Sequence, residues 1–259
     1  MIGGCGGKAA PPAAAGLKVD RFDRDRAFAD LRYQVELGPR PAKSPEAREL
    51  ARWLRDRLPH GRIEKVRGGY ENIVGRLGAR RGKPIVVAAH YDTKDLPGFV
   101  GANDGAGGTA AVLEIARALK RVKGLPPIRF VLFDGEESPD DNADFYSTGL
   151  RGSRPYARRH AEGIRALILL DFVAEKGKMR IPREASSHLG LWSKLRAAAH
   201  AVGAQAAFPD EVSGAVTDDH TPFQRRGVPA IDLIDFTFPC WHKRCDDLSA
   251  VSALSLIHI

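Results

Sequence analysis

Cysteine is scarce in this chain, with three in 259 residues. None belongs to a CxxC pair, so neither a disulfide framework nor a thiolate zinc finger organises the fold. Cys240 and Cys245 flank His242; an oxidised loop is one reading of that spacing, and the expectation adopted is two free thiols. A GxxxxGK[ST] run is absent, which removes the phosphate cradle of P-loop proteins. No apolar stretch is long enough for a transmembrane segment. Lys and Arg outnumber Asp and Glu by 40 to 32, a net charge of +8, yet the basic residues fall in scattered pairs such as Arg80-Arg81 and Arg158-Arg159. With no basic stripe interleaved with aromatics and no basic amphipathic helix, nucleic acid and anionic membranes are excluded as partners.

What is present suits one core. A chain of this length with 43% hydrophobic residues can bury a sizeable interior without a second domain. Residues 1–15 are small, Gly- and Ala-rich and lack periodicity, so a flexible segment is expected there and a single domain over 16–259. Ile2-Gly3-Gly4-Cys5 resembles the end of a bacterial lipoprotein signal without its hydrophobic stretch. It is read as a remnant, with Cys5 as a lipid anchor and an extracytoplasmic location. At the other end, Leu248, Val251 and Leu254 have helical spacing, and Asp247–Leu256 is expected to start a truncated amphipathic helix.

Between these ends the pattern alternates. Two helices are expected between Phe28 and Leu58, on either side of Gly38-Pro39-Arg40-Pro41, the second starting at Ser44-Pro45-Glu46-Ala47. Asn72–Leu77 alternates as a half-buried strand, Pro84–Ala89 is continuously apolar, as a strand covered on both faces is, and Ile128–Phe133 and Ala166–Leu170 are expected to be further buried strands. Helices are expected at Gly107–Lys120, Arg151–Ala161 and Leu189–Val202, and a last strand at Ala230–Ile234. This order predicts a three-layer α/β/α sandwich around a mostly parallel mixed sheet, with the ligand site beyond the carboxyl ends of the strands.

Polar residues gather at those ends: His90-Tyr91-Asp92, Asp134-Gly135-Glu136-Glu137, Asp171 and His242. Singly, each reads as a cap or a satisfied polar group. Jointly, they place repelling carboxylates where a divalent cation would neutralise them, and imidazoles mixed with carboxylates favour zinc over magnesium or calcium. Neighbouring Glu136 and Glu137 cannot easily point the same way, so one is free to ligate and the other to carry a proton. Asp104, in Gly101-Ala102-Asn103-Asp104-Gly105-Ala106-Gly107-Gly108, lies in a loop whose small residues let the backbone pass close to a metal.

Taken with Asp218-Asp219-His220-Thr221-Pro222-Phe223, the segment Arg225–Phe236 and Trp241-His242, these motifs resemble the metallopeptidase family of zinc aminopeptidases and glutaminyl cyclases, over roughly residues 28 to 250. The resemblance implies a zinc-exopeptidase-like fold, one or two zinc ions and a peptide or protein N-terminus as substrate. It implies that Asp104, Glu137 and His242 hold one zinc, and that His90 and Asp171 with Asp104 hold a second where there is one. Asp92 is then an orienting residue, Glu136 the proton carrier and Asp218 a secondary catalytic candidate. Lys94, the Asp218-Asp219 pair, the Arg225-Arg226 pair and Trp241 resemble the cyclase branch, with Trp241 and Lys94 expected at the substrate. Asp232, where a histidine is usual, and the lack of a tryptophan after the glutamate pair depart from animal cyclases. The expected activity is pyroglutamate formation; aminopeptidase hydrolysis is the alternative, and an inactive binding protein a second one. Arg151-Gly152-Ser153-Arg154 has the chemistry to bind an acidic group but is read as a solvated helix start. Oligomeric state is left open.

Overall fold

A computed structural model describes residues 21–177 and 179–259. The expected flexible segment over 1–15 and the lipid anchor at Cys5 lie outside the described residues. Helix α1 (Arg24–Glu36) is capped by the Asp23 carboxylate, which accepts from the Arg26 amide. Helix α2 (Pro45–Arg57) starts as its sequence predicts: the Ser44 hydroxyl accepts from the Ala47 amide at 3.0 Å, and Pro45 fills a position whose N–H has no intrahelical partner. The turn between the two helices holds a surprise. Arg40 is fully buried, donating to the carbonyls of Gln34, Gly38, Val100 and Gly101. Burial lowers its pKa to about 10, against the pull of Asp246, Asp104 and Asp92. It thereby ties the first helix to the loop that carries Asp104.

Six strands form one sheet in the order β1-β2-β4-β3-β5-β6. Strand β1 (Arg62–Val66), absent from the sequence reading because Arg62-Ile63-Glu64-Lys65-Val66 is mostly polar, is an edge strand antiparallel to β2 (Tyr70–Leu77). Strand β2 is also antiparallel to β4 (Ile128–Phe133). From there the sheet is parallel through β3 (Ile85–His90), β5 (Ala166–Asp171) and β6 (Ala230–Ile234). Parallel neighbours need covered faces, and the period-2 alternation of the strands supplies two apolar surfaces. Val87, Ala89, Phe130, Leu132, Ile231 and Leu233 pack with α1, α2, α3 (Ala106–Leu119) and α6 (Leu189–Val202). Val86, Ala88, Val131, Phe133, Leu167 and Leu169 pack on the other face with α5 (Ser153–His160), which follows the single-turn α4 (Phe145–Thr148), and with α7 (Thr221–Gln224). The result is the expected α/β fold, a mixed sheet between helical layers.

Strand β3 lies between β4 and β5, so the chain leaves it in one direction and later returns on the other side. That reversal opens a crevice at the carboxyl ends of β3, β4 and β5. Helix α3 reaches it closely, since a Cβ on Gly108 would lie 2.2 Å from the Leu170 carbonyl oxygen. Only glycine permits that approach.

The C-terminal expectation is corrected. Helix α8 covers only Ala253–Leu256. The Asp247 carboxylate accepts from the amide and hydroxyl of Ser249, a local turn that competes with helix formation, and Val251 instead bridges antiparallel to Glu175.

Candidate active site

His90, Asp171 and the glutamate pair emerge where a buried strand stops, and Asp104 lies in the loop before α3. His90 is the last residue of β3 and Asp171 the last of β5. Glu136 and Glu137 follow β4, and a loop after β6 carries His242. Phe172 and His242 are non-glycine residues at positive φ, 47° and 52°. That conformation costs about 1–3 kcal/mol and persists only where the surroundings impose it. Here it turns the chain at one candidate ligand, His242, and directly after another, Asp171.

Two clusters share Asp104. His90 Nε2 stands 3.2 Å from Asp104 Oδ1 and 3.4 Å from Asp171 Oδ1. On the other side, His242 Nε2 stands 3.2 Å from Glu137 Oε2 and 3.6 Å from Asp104 Oδ2. The ligand atoms of each triad all lie within 4.8 Å of one another. Both His90 ring nitrogens, Asp104 Oδ2 and Glu137 Oε1 are buried without a hydrogen-bond partner. Buried polar atoms are rarely left so, and a divalent metal at each triad would satisfy His90 Nε2 and the Asp104 and Glu137 carboxylates, while His90 Nδ1 faces Asp92 at 3.7 Å.

The sequence reading gave Asp92 the task of orienting His90, but its hydrogen bonds go elsewhere. Its carboxylate accepts from the Glu136 and Glu137 amides at 3.1 and 3.3 Å, while His90 Nδ1 lies 3.7 Å away. Asp92 therefore fixes the glutamate loop and sits beside the histidine. Asp246 does the same for the other loop, accepting from the Asn103 and Asp104 amides at 2.7 and 3.1 Å. The sequence reading missed Asp246; it carries no motif, and only the fold brings it across 142 positions to Asp104. Burial, then the charge of Asp104, lifts its pKa to about 7.

Burial dominates the electrostatics. It raises the carboxyls of Glu136, Asp171 and Asp218, with neighbouring carboxylates adding to the rise, and it lifts Glu137 to about 7. Burial opposes charge on His90, but Asp104, Asp171 and Asp92 outweigh it and hold that imidazole well above its ordinary value. Behind Asp218, the sequence reading also overlooked a sealed group. His220 faces Ser186 Oγ at 3.1 Å, Asp232 at 3.5 Å and Glu184 at 3.7 Å. Burial lowers His220 to about 4, so it is neutral at pH 7. Asp232, placed where a histidine was expected, completes a third close set with Asp218 and His220.

Asp104, Glu136, Glu137, Asp171, Asp218 and His242 line one cavity of about 420 Å³. Phe145, Phe172, Val216, Ile234, Phe236 and Trp241 supply its apolar walls. Trp241 is where the sequence placed it, stacked 4.5 Å from His242 and 5.0 Å from the ring of Phe236. Lys94 is not on the lining. Its ammonium donates to the Ser138 carbonyl at 2.6 Å and pairs with Asp141, so it braces the segment after the glutamates instead of meeting a substrate. The cysteine expectation is overturned as well: Cys240 and Cys245 form a disulfide with a Cα–Cα distance of 5.4 Å. A turn in which the Lys243 amide donates to the Cys240 carbonyl at 3.0 Å folds the chain back and brings the two sulfurs together around His242.

Known proteins resemble this chain in sequence and in fold. Bovine glutaminyl-peptide cyclotransferase is 30% identical over 219 residues, which cover 69% of this chain and 60% of that protein; the chain thus spans about 60% of the length of that relative. A leucine aminopeptidase precursor from Bacteroides thetaiotaomicron superimposes with a TM-score of 0.84 at 26% identity, covering 93% of this chain and 95% of that one. A glutaminyl cyclase from an Acidobacteriales bacterium superimposes with a TM-score of 0.79 at 28% identity, covering 97% and 94%. The model of peptidase family M28 matches residues 72–259, a span from the second strand through the His242 loop, and the chain belongs to that family.

Proposed function

We propose that this chain is a zinc-dependent glutaminyl-peptide cyclotransferase that converts an N-terminal glutamine into pyroglutamate with release of ammonia. One observation carries the reading: Glu136, Asp171 and Asp218, three carboxyls that burial holds in reach of protonation, open into the same cavity as the Asp104, Glu137 and His242 triad. Ligand atoms about 2.0–2.1 Å from a tetrahedral zinc stand about 3.3 Å from each other. The spacings of 3.2 and 3.6 Å at His242 fit that edge. Asp104, Glu137 and His242 are the ligands proposed, with His90 and Asp171 joining Asp104 where a second zinc binds. Bound there, zinc supplies Lewis acidity toward the side-chain amide carbonyl of the glutamine.

The protein groups handle the protons. The substrate α-amine attacks the side-chain amide carbon, forming the ring C–N bond while the bond to the departing nitrogen breaks. Glu136 takes the proton lost by the amine and delivers it to that nitrogen, which leaves as ammonia. The buried carboxyls of Asp218 and Asp171 disfavour a further negative charge beside them, and burial together with Asp218 raises Glu136, which helps it hold the proton in a dry site. Asp92 keeps the glutamate loop in register through its two amides. Trp241, Phe236 and Phe172 exclude water from the ring-closing step and pack the aliphatic part of the glutamine.

A specific observation favours a second reading, metallo-aminopeptidase hydrolysis. The His90, Asp104 and Asp171 cluster is complete, which leaves room for two metals and an activated water. Incubation with a glutamine-initiated peptide decides between the two. Cyclisation lowers the peptide mass by one ammonia, whereas hydrolysis frees an amino acid; free glutamine with no pyroglutamyl peptide would overturn the cyclase reading.

Residues 16–259 are proposed to work as a single catalytic domain on peptide N-termini. Among the described residues no helix is long and apolar enough to cross a membrane. An extracytoplasmic location is proposed from the Cys240–Cys245 disulfide, because such bonds persist in oxidising compartments.

A further inference from the structure

A second hollow, of about 530 Å³, lies away from the strand ends between the β1–β2 turn and helix α5. Five arginines line it, Arg67, Arg151, Arg154, Arg158 and Arg159, together with Tyr70. Two of them, Arg154 and Arg158, stand four residues apart on α5, a spacing that sets like charges side by side and repels, and Arg151 lies in the turn just before the helix. Neutralisation from within the protein is meagre. Glu64 serves Arg159 at 2.7 Å, His160 at 2.8 Å and Arg62 at 3.1 Å. Among the described residues, Arg67, Arg154 and Arg158 pair with no carboxylate, and the Nε of Arg154 is buried with no hydrogen-bond partner. The floor is built: Tyr70 packs under the guanidinium of Arg151 at 5.0 Å and the ammonium of Lys43 at 4.9 Å.

We propose that this hollow is a binding site for a tetrahedral oxyanion, a phosphate or sulfate group, held by Arg67, Arg154 and Arg158 with Arg151 behind them. Guanidinium forks match such oxygens in pairs. Arginines from a turn and a helix converge on a concave surface, as a small dianion requires and as a flat solvated charge face does not provide. Arg151 is already engaged, donating to the Gly135 and Glu137 carbonyls at 3.2 and 2.5 Å, so it contributes charge and rigidity and leaves the direct contacts to the other three.

Calorimetric titration at constant ionic strength, with inorganic phosphate and with O-phosphoserine as probes, tests the site. Wild-type protein is expected to bind saturably. Arg67→Ala and Arg158→Ala, both at exposed positions, are each expected to weaken binding about tenfold or more, as the loss of a charge-assisted hydrogen bond does. Binding of O-phosphoserine at least as tight as that of phosphate makes the ligand an ester, and tighter phosphate binding makes it the free ion; either supports the site. Should wild-type protein show no saturable binding, or should both arginine variants bind as it does, the proposal fails. In the latter case the anion binds elsewhere, through groups that do not include Arg67 or Arg158. Unchanged thermal unfolding of the variants in anion-free buffer excludes misfolding as the cause of a loss.

Discussion

The molecule has two concave surfaces of opposite sign, and their difference lies in how charge is managed. Five carboxylates meet in the cavity at the strand ends, and five arginines in the hollow beside α5. In the first, like charges are buried, their loops are held by the Asp92 and Asp246 carboxylates, and burial raises the pKa of Glu136, Glu137, Asp171 and Asp218. In the second they are partly open to water, which screens the repulsion, so guanidinium groups stay charged without such aid. Burial makes the cavity costly and specific, and exposure makes the hollow inexpensive and adaptable. The two meet at Arg151, whose guanidinium faces the hollow while holding the Gly135 and Glu137 carbonyls of the cavity loop.

The comparison predicts that changes in the cavity have large effects and changes in the hollow small ones. The largest is Glu136→Gln, expected to lower turnover of a glutamine-initiated peptide by about 10²–10⁴-fold with metal content unchanged; normal turnover in that variant would remove Glu136 from the mechanism. His242→Ala should strip its triad of metal after dialysis, as measured by elemental analysis. Asp246→Ala removes the acceptor for two loop amides and should weaken metal binding about 10–100-fold, and an unaltered affinity would mean Asp104 holds its place without help.

Next comes pH. In metal-free protein, Glu137, Asp134, Asp219 and Asp246 have folded pKa values of about 7, above those of the unfolded chain. Raised carboxyl pKa values contribute stability at low pH that is lost as pH rises through about 7. The raised His90 and His242 act in the same direction. His220, lowered to about 4, acts oppositely, but its contribution is complete above pH 6.5. Metal-free protein should therefore unfold more readily at pH 8 than at pH 6.5, and zinc should remove that trend by neutralising the cavity while releasing protons. Equal midpoints at both pH values in metal-free protein would contradict the burial argument. The smallest effect belongs to the hollow: Arg158→Glu relieves like-charge crowding on a helix face and should raise the thermal midpoint by only about 1 °C in anion-free buffer.

Much of the cavity was legible because it is built at boundaries. Where a continuously apolar run such as Ile85–Ala89 ends in His90, or Ala166–Leu170 in Asp171, the change from buried to polar marks both the strand end and the site. Family resemblance then sorted the roles. The unread parts depend on distance along the chain or on solvent. Asp246 and Arg40 act only after loops far apart have been brought together, Lys94 was claimed by Asp141 through a turn that no spacing reveals, and polar β1 forms because β2 offers it an edge. Nothing in the spacing of Cys240 and Cys245 says whether a turn closes between them.

That closure has a practical meaning for anyone preparing the protein. A cross-link over so short a segment adds little to global stability, and what it governs is local, since the segment presents His242 at positive φ. Chain made under reducing conditions and chain made under oxidising ones would share a fold and a mass within two hydrogens. They would differ in how firmly one ligand is presented, so the metal content of a sample would record the redox history of its preparation.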